Sequence, residues 1–375
     1  MTTYVEIHAL HTVPPSCINR DDTGAPKTAP YGGVIRSRVS SQAWKRAIRD
    51  QFNNELDPKE VGTRSTQITS EIATSIRTLR PDLAGDAIDL AVAAMEAAGF
   101  KKPVAKTRGR DKVLGDPETG YLVFLSQHQI DALAQAAVDT CDEPDPKKSM
   151  KAAKVKELAN ADHSIDIALF GRMIADSADL NVDAACQVAH ALSVHEAEPQ
   201  YDFYTAVDDA RARDEDEIDA GAGMMGTVGY VAATLYRYAA VNVDQLERNL
   251  GSADATRRAI QVFLRAFVES MPTGKINTFA NHTRPSAVLV TIATGQPTSL
   301  VGAFEEPVRA DGGYLKPAVA RLADYADEYF STWRQPSHAY VLGLPTDVEP
   351  LSRLGDRISL DELATVVPNA ATEQA

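Results

Sequence analysis

The sequence predicts a mixed α/β protein, an α/β sandwich that leaves one face of its sheet open. Two observations support this class. Residues 3–11 alternate apolar with polar side chains, which predicts an N-terminal strand, and a short strand and a capped helix follow it. Further along, helical patterns separate the later extended segments. With 375 residues, 44% of them apolar, the chain can bury a core in two domains or in one domain with large insertions.

The first elements form a strand, loop and helix unit. The N-terminal strand is expected to be half-buried and to end at Pro14 and Pro15, and a polar loop then leads to Gly33. In the next short strand Arg36 and Arg38 share a face. Ser40 and Ser41 offer an N-cap to a helix with an apolar side. Its opposite side carries Gln42, Lys45, Arg46 and Arg49.

The middle of the chain, from residue 60 to 195, is expected to be one mainly helical insertion, with helices at 84–98, 126–138 and 182–195. The polar, glycine-bearing excursion at 201–229 is typical of a long flexible hairpin. The elements expected beyond it are an extended segment at 227–242, helices at 243–250 and 254–271, a strand at 287–291, a helix at 316–332 and a polar tail after Pro350.

Charge is segregated along the sequence. The chain has 38 basic and 52 acidic residues, a net charge of −14, which argues against unspecific adhesion to nucleic acid. Residues 17–49 nevertheless hold seven basic residues against two acidic ones. A protein that binds phosphate groups along one confined surface is expected to show this charge pattern. Chance patterning of surface residues also produces it. Further basic tracts lie at residues 101–112 and 147–156. On a helix the second tract would place on one side Lys147, Lys148, Lys151 and Lys154, a pattern that most often only solubilises a helix.

Two interpretations stay open for residues 17–49. The helix N-terminus, the serine hydroxyls and a row of cations suit phosphate capture, whereas the same residues are typical of a solvated amphipathic helix. The one catalytic candidate is the pair Asp21 and Asp22, whose carboxylates suit Mg²⁺-dependent hydrolysis. A loop turn explains the pair more simply.

Other function classes find no support in the sequence. Three widely spaced cysteines indicate reduced thiols, not disulfides or a zinc site, and no histidine pair has a partner at ligand spacing. No P-loop, no GxGxxG placed after a predicted strand, no GxSxG and no HExxH motif occurs. We therefore expect no cofactor and no metal. Without a leader or a long apolar run, the expected location is cytoplasmic, with no membrane contact.

Several runs of the sequence resemble the CasC family, the crRNA-binding backbone of the type I-E CRISPR Cascade complex, over nearly the whole chain. The runs are Pro15-Ser16-Cys17, Asn19-Arg20-Asp21-Asp22, Lys27, Gly32-Gly33, Arg38-Val39-Ser40-Ser41-Gln42, Lys45-Arg46-Ala47, Asp166-Ile167-Ala168-Leu169, Gly171-Arg172-Met173, Phe203-Tyr204-Thr205-Ala206-Val207-Asp208-Asp209, Gly226-Thr227 and Leu235-Tyr236-Arg237-Tyr238-Ala239.

The resemblance implies a RAMP-type α/β (α+β) fold, in which an RRM-like (ferredoxin-like) palm bears a helical fingers insertion and a β-hairpin thumb. The implied domains are residues 1–60, the first part of the palm with the RNA-binding loop and basic helix; 61–195, the fingers; 196–230, the thumb; 231–350, the second part of the palm; and 351–375, a C-terminal tail. Residues 101–112 and the acidic middle of the thumb match no family feature.

The resemblance also implies a non-enzymatic role: sequence-independent binding of crRNA by copies stacked head to tail, with other Cascade subunits and target DNA as partners in antiviral defence. The RNA-binding residues expected from the family and from the basic strand are Arg20, Lys27, Arg36, Arg38, Ser40, Gln42, Lys45, Arg46 and Arg49. Met173, Phe203 and Thr205 would wedge at a displaced nucleotide. The tract Lys147, Lys148, Lys151 and Lys154 would face target DNA. The alternatives are a metal-dependent target-RNA endonuclease that uses Asp22 and a monomeric RNA chaperone.

Overall fold

A computed structural model describes residues 1–108, 113–174, 176–206 and 224–375. It is a mixed α/β protein, as the sequence predicts. The strands are β1 (Thr3–Ser16), β2 (Thr28–Tyr31), β3 (Val34–Val39), β4 (Gly62–Ser65), β5 (Val104–Arg108), β6 (Val113–Glu118), β7 (Val123–Ser126), β8 (Cys186–Val188), β9 (Ala191–Ser193), β10 (Gln200–Ala206), β11 (Met224–Asn242), β12 (Ala287–Thr294), β13 (His338–Gly343) and β14 (Asp356–Arg357). The helices are α1 (Ser41–Phe52), α2 (Ile68–Leu79), α3 (Ala87–Ala97), α4 (Gln127–Asp139), α5 (Pro146–Ala152), α6 (Val155–Leu158), α7 (Ile165–Phe170), α8 (Val243–Leu250), α9 (Ala253–Glu269), α10 (Ile276–Phe279), α11 (Leu315–Thr332), α12 (Pro345–Val348) and α13 (Leu360–Gln374).

The chain divides into two compact units. The first comprises Met1–Gln51, Val188–Ala240 and Leu264–Gln374, and the second comprises Phe52–Gln187 and Val241–Phe263 with the last residue. The first unit holds a sheet with the strand order β14-β13-β12-β1-β11-β9-β3-β2, and β10 pairs with β11 outside this path. Since β11 leaves the sheet to pair with β10, one long strand serves both the sheet and a hairpin.

The central strands of the sheet are buried on both faces, so the expectation of one open face is wrong for this part of the sheet. On β1 the alternate residues Ile7 and His8 are both buried, and seven of the eight residues of β12 are buried. One face packs under α11 through a cluster that includes Leu322, and the other packs under α1 through Trp44. A ligand must therefore approach the first unit at the sheet edges or loops.

Two predicted boundaries of the first unit differ in the structure. Strand β1 continues through Pro14 and Pro15 to Ser16, because both prolines are exposed at the end of the strand, where a missing N–H group costs little. Residues 360–374 form α13 where a polar tail was expected. This helix buries Leu363 and Val367 and packs along β1, β12 and β13, so a narrow apolar stripe in a polar sequence was enough to hold it.

The segment at residues 182–195 was expected to be helical and instead contains β8 and β9. In the register of the sheet, Leu192 lies opposite both Arg38 on β3 and Tyr236 on β11. These pairings give the segment backbone partners on both sides, and tertiary context of this kind overrides a local helical spacing.

The second unit is mainly helical, as predicted. Helices α2, α3 and α4 pack around a core that includes Ile72, Leu90 and Ile130, and β4 with β7 and β5 with β6 form two small antiparallel sheets that the sequence pattern did not indicate. Helix α4 begins at a capping box between Ser126 and Gln129. Among the described residues no helix is long and apolar enough to cross a membrane.

Candidate nucleic-acid interface

The loop between β1 and β2 is held in one conformation by its own hydrogen bonds and by the start of α1. The side-chain oxygen of Asn19 accepts a hydrogen bond from the Ser40 backbone N–H at 2.8 Å, and its backbone carbonyl accepts one from Lys27 N–H at 3.0 Å. Arg20 pairs with Pro26 across the loop, and its side chain is exposed. The loop therefore presents cations from a fixed backbone beside the N-terminus of α1.

Asp21 is a turn-forming residue of this loop. Its Oδ1 accepts hydrogen bonds from the Thr23 hydroxyl at 2.7 Å, from Thr23 N–H at 2.9 Å and from Ala25 N–H at 3.0 Å. The bond from the Thr23 hydroxyl is the largest of the causes that hold the pKa of this carboxyl below its ordinary value. These contacts support the turn interpretation of Asp21, and its neighbour Asp22 is exposed at the tip of the same turn.

Helix α1 begins where the sequence predicts. Ser40 accepts a hydrogen bond from Ala43 N–H at its hydroxyl oxygen, 3.3 Å, and caps the helix. Trp44, Ala47 and Ile48 are buried. The opposite side carries Gln42 and Arg46, which are exposed, and Lys45 and Arg49, which are half-buried. The helix thus turns a polar, basic side and its partial positive N-terminal charge outward.

A buried arginine anchors α1 to the sheet. The Arg237 guanidinium on β11 lies 3.6 Å from the Trp44 ring centroid and 4.3 Å from that of Phe267. It also donates to the Phe267 carbonyl at 2.6 Å and lies 3.1 Å from His11 Nδ1, and burial lowers its pKa to about 9. The family run at residues 235–239 is therefore structural here, and it sets the position of the basic helix.

Arg36, one of the expected RNA-binding residues, has no exposed surface. Its guanidinium donates to the backbone carbonyls of Tyr31, Ser193, Phe304 and Glu305 at 3.0–3.1 Å, and burial lowers its pKa. Because these bonds occupy it within the fold, we leave Arg36 out of the candidate interface. Arg38, two residues along β3, is half-buried, and its Nε donates to the Thr28 carbonyl at 3.3 Å.

The predicted hairpin is present as β10 paired with β11, from Gln200 opposite Tyr230 to Ala206 opposite Met224. Phe203 and Thr205 lie on one face together with Met225, which the sequence did not single out. Phe203 is 62% and Met225 is 66% exposed. The middle of the excursion, residues 207–223 with its acidic stretch, lies outside the described residues, as do residues 109–112 of the basic tract at 101–112.

Two glycines in the described part of the hairpin, Gly226 and Gly229, allow close packing. A Cβ at Gly226 would lie 2.6 Å from the Tyr204 hydroxyl, and one at Gly229 would lie 2.8 Å from Pro26 Cδ and 3.2 Å from the Tyr201 ring. The aromatic rings lie across the glycines, and the base of the hairpin touches the loop of residues 17–27. Further along the hairpin, Phe203 and Met225 are exposed.

In the run Gly171-Arg172-Met173 of the second unit, the first two residues are fixed by the fold and the third has an exposed side chain. Gly171 has a φ of +77°, and a Cβ there would lie 2.8 Å from the Val182 carbonyl oxygen. Arg172 is buried and donates to the Leu180 carbonyl at 2.9 Å and to Asn160 Oδ1 at 2.9 Å, and burial lowers its pKa to about 10. Met173 projects from this support and is 82% exposed.

The lysine tract, also in the second unit, does not lie on one helix, so that expectation is wrong. Helix α5 ends at Ala152, and Lys154 has a left-handed backbone with φ of 57°. Lys147 pairs with Glu96 at 3.0 Å and Lys154 with Glu157 at 3.2 Å. The remaining members are both exposed, Lys148 and Lys151.

Comparison with known proteins gives one family and a set of similar structures. The model of a family described as CT1975-like protein matches residues 5–366. A chain of a "CRISPR RNA-guided surveillance complex, pre-nicking" is 34% identical, with a TM-score of 0.84, and the alignment covers 98% of this chain and 100% of that chain. A chain of another CRISPR RNA-guided surveillance complex is 30% identical, with a TM-score of 0.70 and coverage of 99% and 100%. No curated protein matches the sequence.

Proposed function

The chain belongs to the family of CT1975-like proteins, and from this premise we propose that it is a guide-RNA-binding subunit of a CRISPR surveillance complex. In the finer form of the proposal it is the repeated, non-enzymatic backbone subunit of a type I-E Cascade complex, which grips crRNA without reading its sequence and takes part in antiviral defence. The similar solved chains, at 34% and 30% identity over their full length, come from such RNA-guided complexes.

One observation carries the RNA-binding role: the structure brings a loop and a helix side rich in exposed and half-buried cations together on a chain with a net charge of −14. We define the basic track as the loop cations Arg20 and Lys27, Arg38 on β3, and the capped, outward side of α1 with Gln42, Lys45, Arg46 and Arg49. The loop and the helix are joined by the Asn19–Ser40 hydrogen bond, which keeps the cations in register with the helix N-terminus. Phosphate contacts of this kind position a nucleic acid and carry no sequence information.

The exposed apolar side chains supply the second part of the proposal. Phe203 and Met225 on the hairpin, and Met173 after the buried Arg172, are each more than half exposed. Large exposed apolar side chains suit stacking or wedging against bases. We infer that they displace nucleotides of the bound RNA, with Thr205 beside Phe203 on the same hairpin face.

Target DNA contact by the lysine tract is a further part of the proposal. Two lysines of the tract contribute less to this contact, because Lys147 and Lys154 have carboxylate partners. Lys148 and Lys151 lie in the same helix and are both exposed. We therefore assign the main electrostatic contact with DNA to these two residues.

The endonuclease alternative would use Asp22, which is exposed beside Asp21. The Asp21 carboxylate is committed to three hydrogen bonds within its own turn, and no cluster of three His, Cys, Asp or Glu side chains suited to a metal was found in the part of the chain that the structure describes. Incubation of the assembled protein with complementary RNA and Mg²⁺ tests the point, because cleavage that is lost in Asp22→Ala would favour the enzyme.

The proposed function is tested by the RNA that the protein carries. We would purify the full chain from cells that express it with its partner subunits, once with a CRISPR array and once without, and measure the length of the extracted RNA. The proposal predicts RNA of uniform length only with the array. RNA of random length in both preparations, in an unchanged amount, would contradict a guide-binding role.

A further inference from the structure

His190 lies just before β9 and contacts Arg38 of the basic track. Its ring Nδ1 is 3.2 Å from Nη1 of Arg38. Since a guanidinium can only donate, the ring accepts this hydrogen bond at Nδ1 and carries its proton on Nε2. The side chain of His190 is exposed.

Lys27 belongs to the same cluster. The Arg38 N–H donates to the Lys27 carbonyl at 2.9 Å, so the two residues lie opposite each other on adjacent chain segments and their side chains share a face. Partial burial, and then the charges of Arg38 and Lys27, lower the pKa of His190 below its ordinary value. Lys27 is therefore placed by the strand register on the same face as Arg38, the residue that contacts His190.

The cluster has cationic donors and no anionic partner. The charged groups that act on His190 are Arg38 from β3 and Lys27 from the segment before β2. No ion pair joins either cation to a carboxylate within the described ranges of the chain. Neighbouring cations without a counter-charge repel each other, so an anion bound beside them is stabilised, and a phosphate group can accept hydrogen bonds from all three side chains.

We propose that Lys27, Arg38 and His190 together bind one phosphate group of the RNA backbone, and that His190 takes up a proton when the phosphate binds. The inference deepens the proposed function and rests on it. Protonation gives both ring nitrogens a hydrogen, so the bond from Arg38 is lost and its N–H groups turn to the phosphate. His190 then contributes a third positive charge at the site.

The sign of the pH dependence follows from this exchange. In the free protein the neighbouring cations favour neutral His190, and in the complex the phosphate charge favours the imidazolium. Binding therefore takes up a proton between the free and the bound pKa of His190, and RNA affinity rises as the pH falls through that window. One linked proton changes the affinity by at most about tenfold per pH unit.

The test uses the full-length protein and a fluorescent oligouridylate, whose bases do not titrate in the range from about pH 5.5 to about pH 8. We expect the affinity of the wild type to rise several-fold at the acidic end beyond that of His190→Gln. His190→Arg, with a fixed positive charge, should bind tightly at every pH. His338→Gln, which removes an exposed histidine from β13 near the other end of the sheet order, should behave as the wild type.

Circular dichroism first establishes that each variant is folded, which the exposure of His190 leads us to expect. If the wild type and His190→Gln bind oligouridylate with the same affinity and the same pH dependence, the inference is overturned while RNA binding stands. If the wild type binds no oligouridylate at any pH, the proposed RNA-binding function itself fails.

Discussion

Removal of two loop cations should change the salt dependence of RNA binding by a defined amount. Arg20 and Lys27 are held by a loop whose backbone bonds do not need their side chains, so Arg20→Ala with Lys27→Ala should preserve the fold. Each lost phosphate contact on a single strand reduces the slope of log affinity against log salt by about 0.7, which gives about 1.4 for the pair. Between about 50 and 200 mM salt, the wild type should therefore lose about sevenfold more affinity than the variant.

The assay is fluorescence anisotropy with one labelled RNA at four or five salt concentrations. Lys316→Ala with Arg357→Ala makes the same change in net charge, but on α11 and β14, which lie outside the basic track. This control should keep the wild-type slope. If the loop variant also keeps it, or if both variants reduce it equally, then overall charge and not local phosphate contact governs binding, and the reasoning fails.

Three further predictions test the structural role of Arg172, the contact of Phe203 with bases and the contact of the lysine tract with DNA. Arg172→Met should lower the free energy of unfolding by about 3 kcal/mol, measured in urea, because buried acceptors lose their donor, whereas Met173→Ala should change it by less than about 0.5 kcal/mol. Phe203→Ala should weaken RNA binding by about 1–3 kcal/mol and remove periodic base exposure to a chemical probe. Lys148→Glu with Lys151→Glu should weaken target DNA binding by the assembled complex and leave its guide RNA content unchanged.

Each of these has a contrary outcome. If Arg172→Met and Met173→Ala lower the free energy of unfolding equally, then Arg172 is not the structural residue and Met173 is not a side chain free of structural contacts. Periodic base exposure that survives in Phe203→Ala would mean that the hairpin does not displace nucleotides. Loss of guide RNA in the lysine variant would place the tract on the RNA and not on the DNA.

Local chemistry made the helix boundaries at the candidate interface predictable. The serine pair before a stripe of Ala43, Trp44, Ala47 and Ile48 predicts α1, and the stripe is the side that the helix packs against the sheet. The bounds of α8 also agree with the sequence, because Asn242 caps its start and Gly251 ends it in a left-handed conformation. Signals of this kind act within one turn of the chain.

Long-range pairing could not be predicted in the same way. The strands at residues 186–193 exist because β3 and β11 supply partners from distant parts of the sequence. The burial of Arg36 could not be predicted either, because its hydrogen-bond acceptors are distant in the sequence. A period of two places it beside Arg38 on one face, but only the fold shows that carbonyls from residues 193, 304 and 305 surround its guanidinium.

His190 and Met225 were missed for a related reason. A single histidine in a loop has no sequence pattern, and its contact with Arg38 joins residues 152 positions apart. Met225 becomes visible as a site residue only when the register of the hairpin places it opposite Thr205. Conversely, the Gly-Arg-Met run was identified from the family resemblance, and the structure supplies the physical reason for its first two residues.

The most direct test of sequence-independent backbone binding compares the dissociation constants of three RNAs of equal length. Two have unrelated sequences with ordinary phosphates, and the third repeats one of these sequences with neutral methylphosphonate linkages at alternate positions. We predict equal affinity for the first two, within about twofold, and a loss of more than tenfold for the third at about 100 mM salt. Affinity that follows the sequence, or that survives neutralisation of the phosphates, would contradict the account.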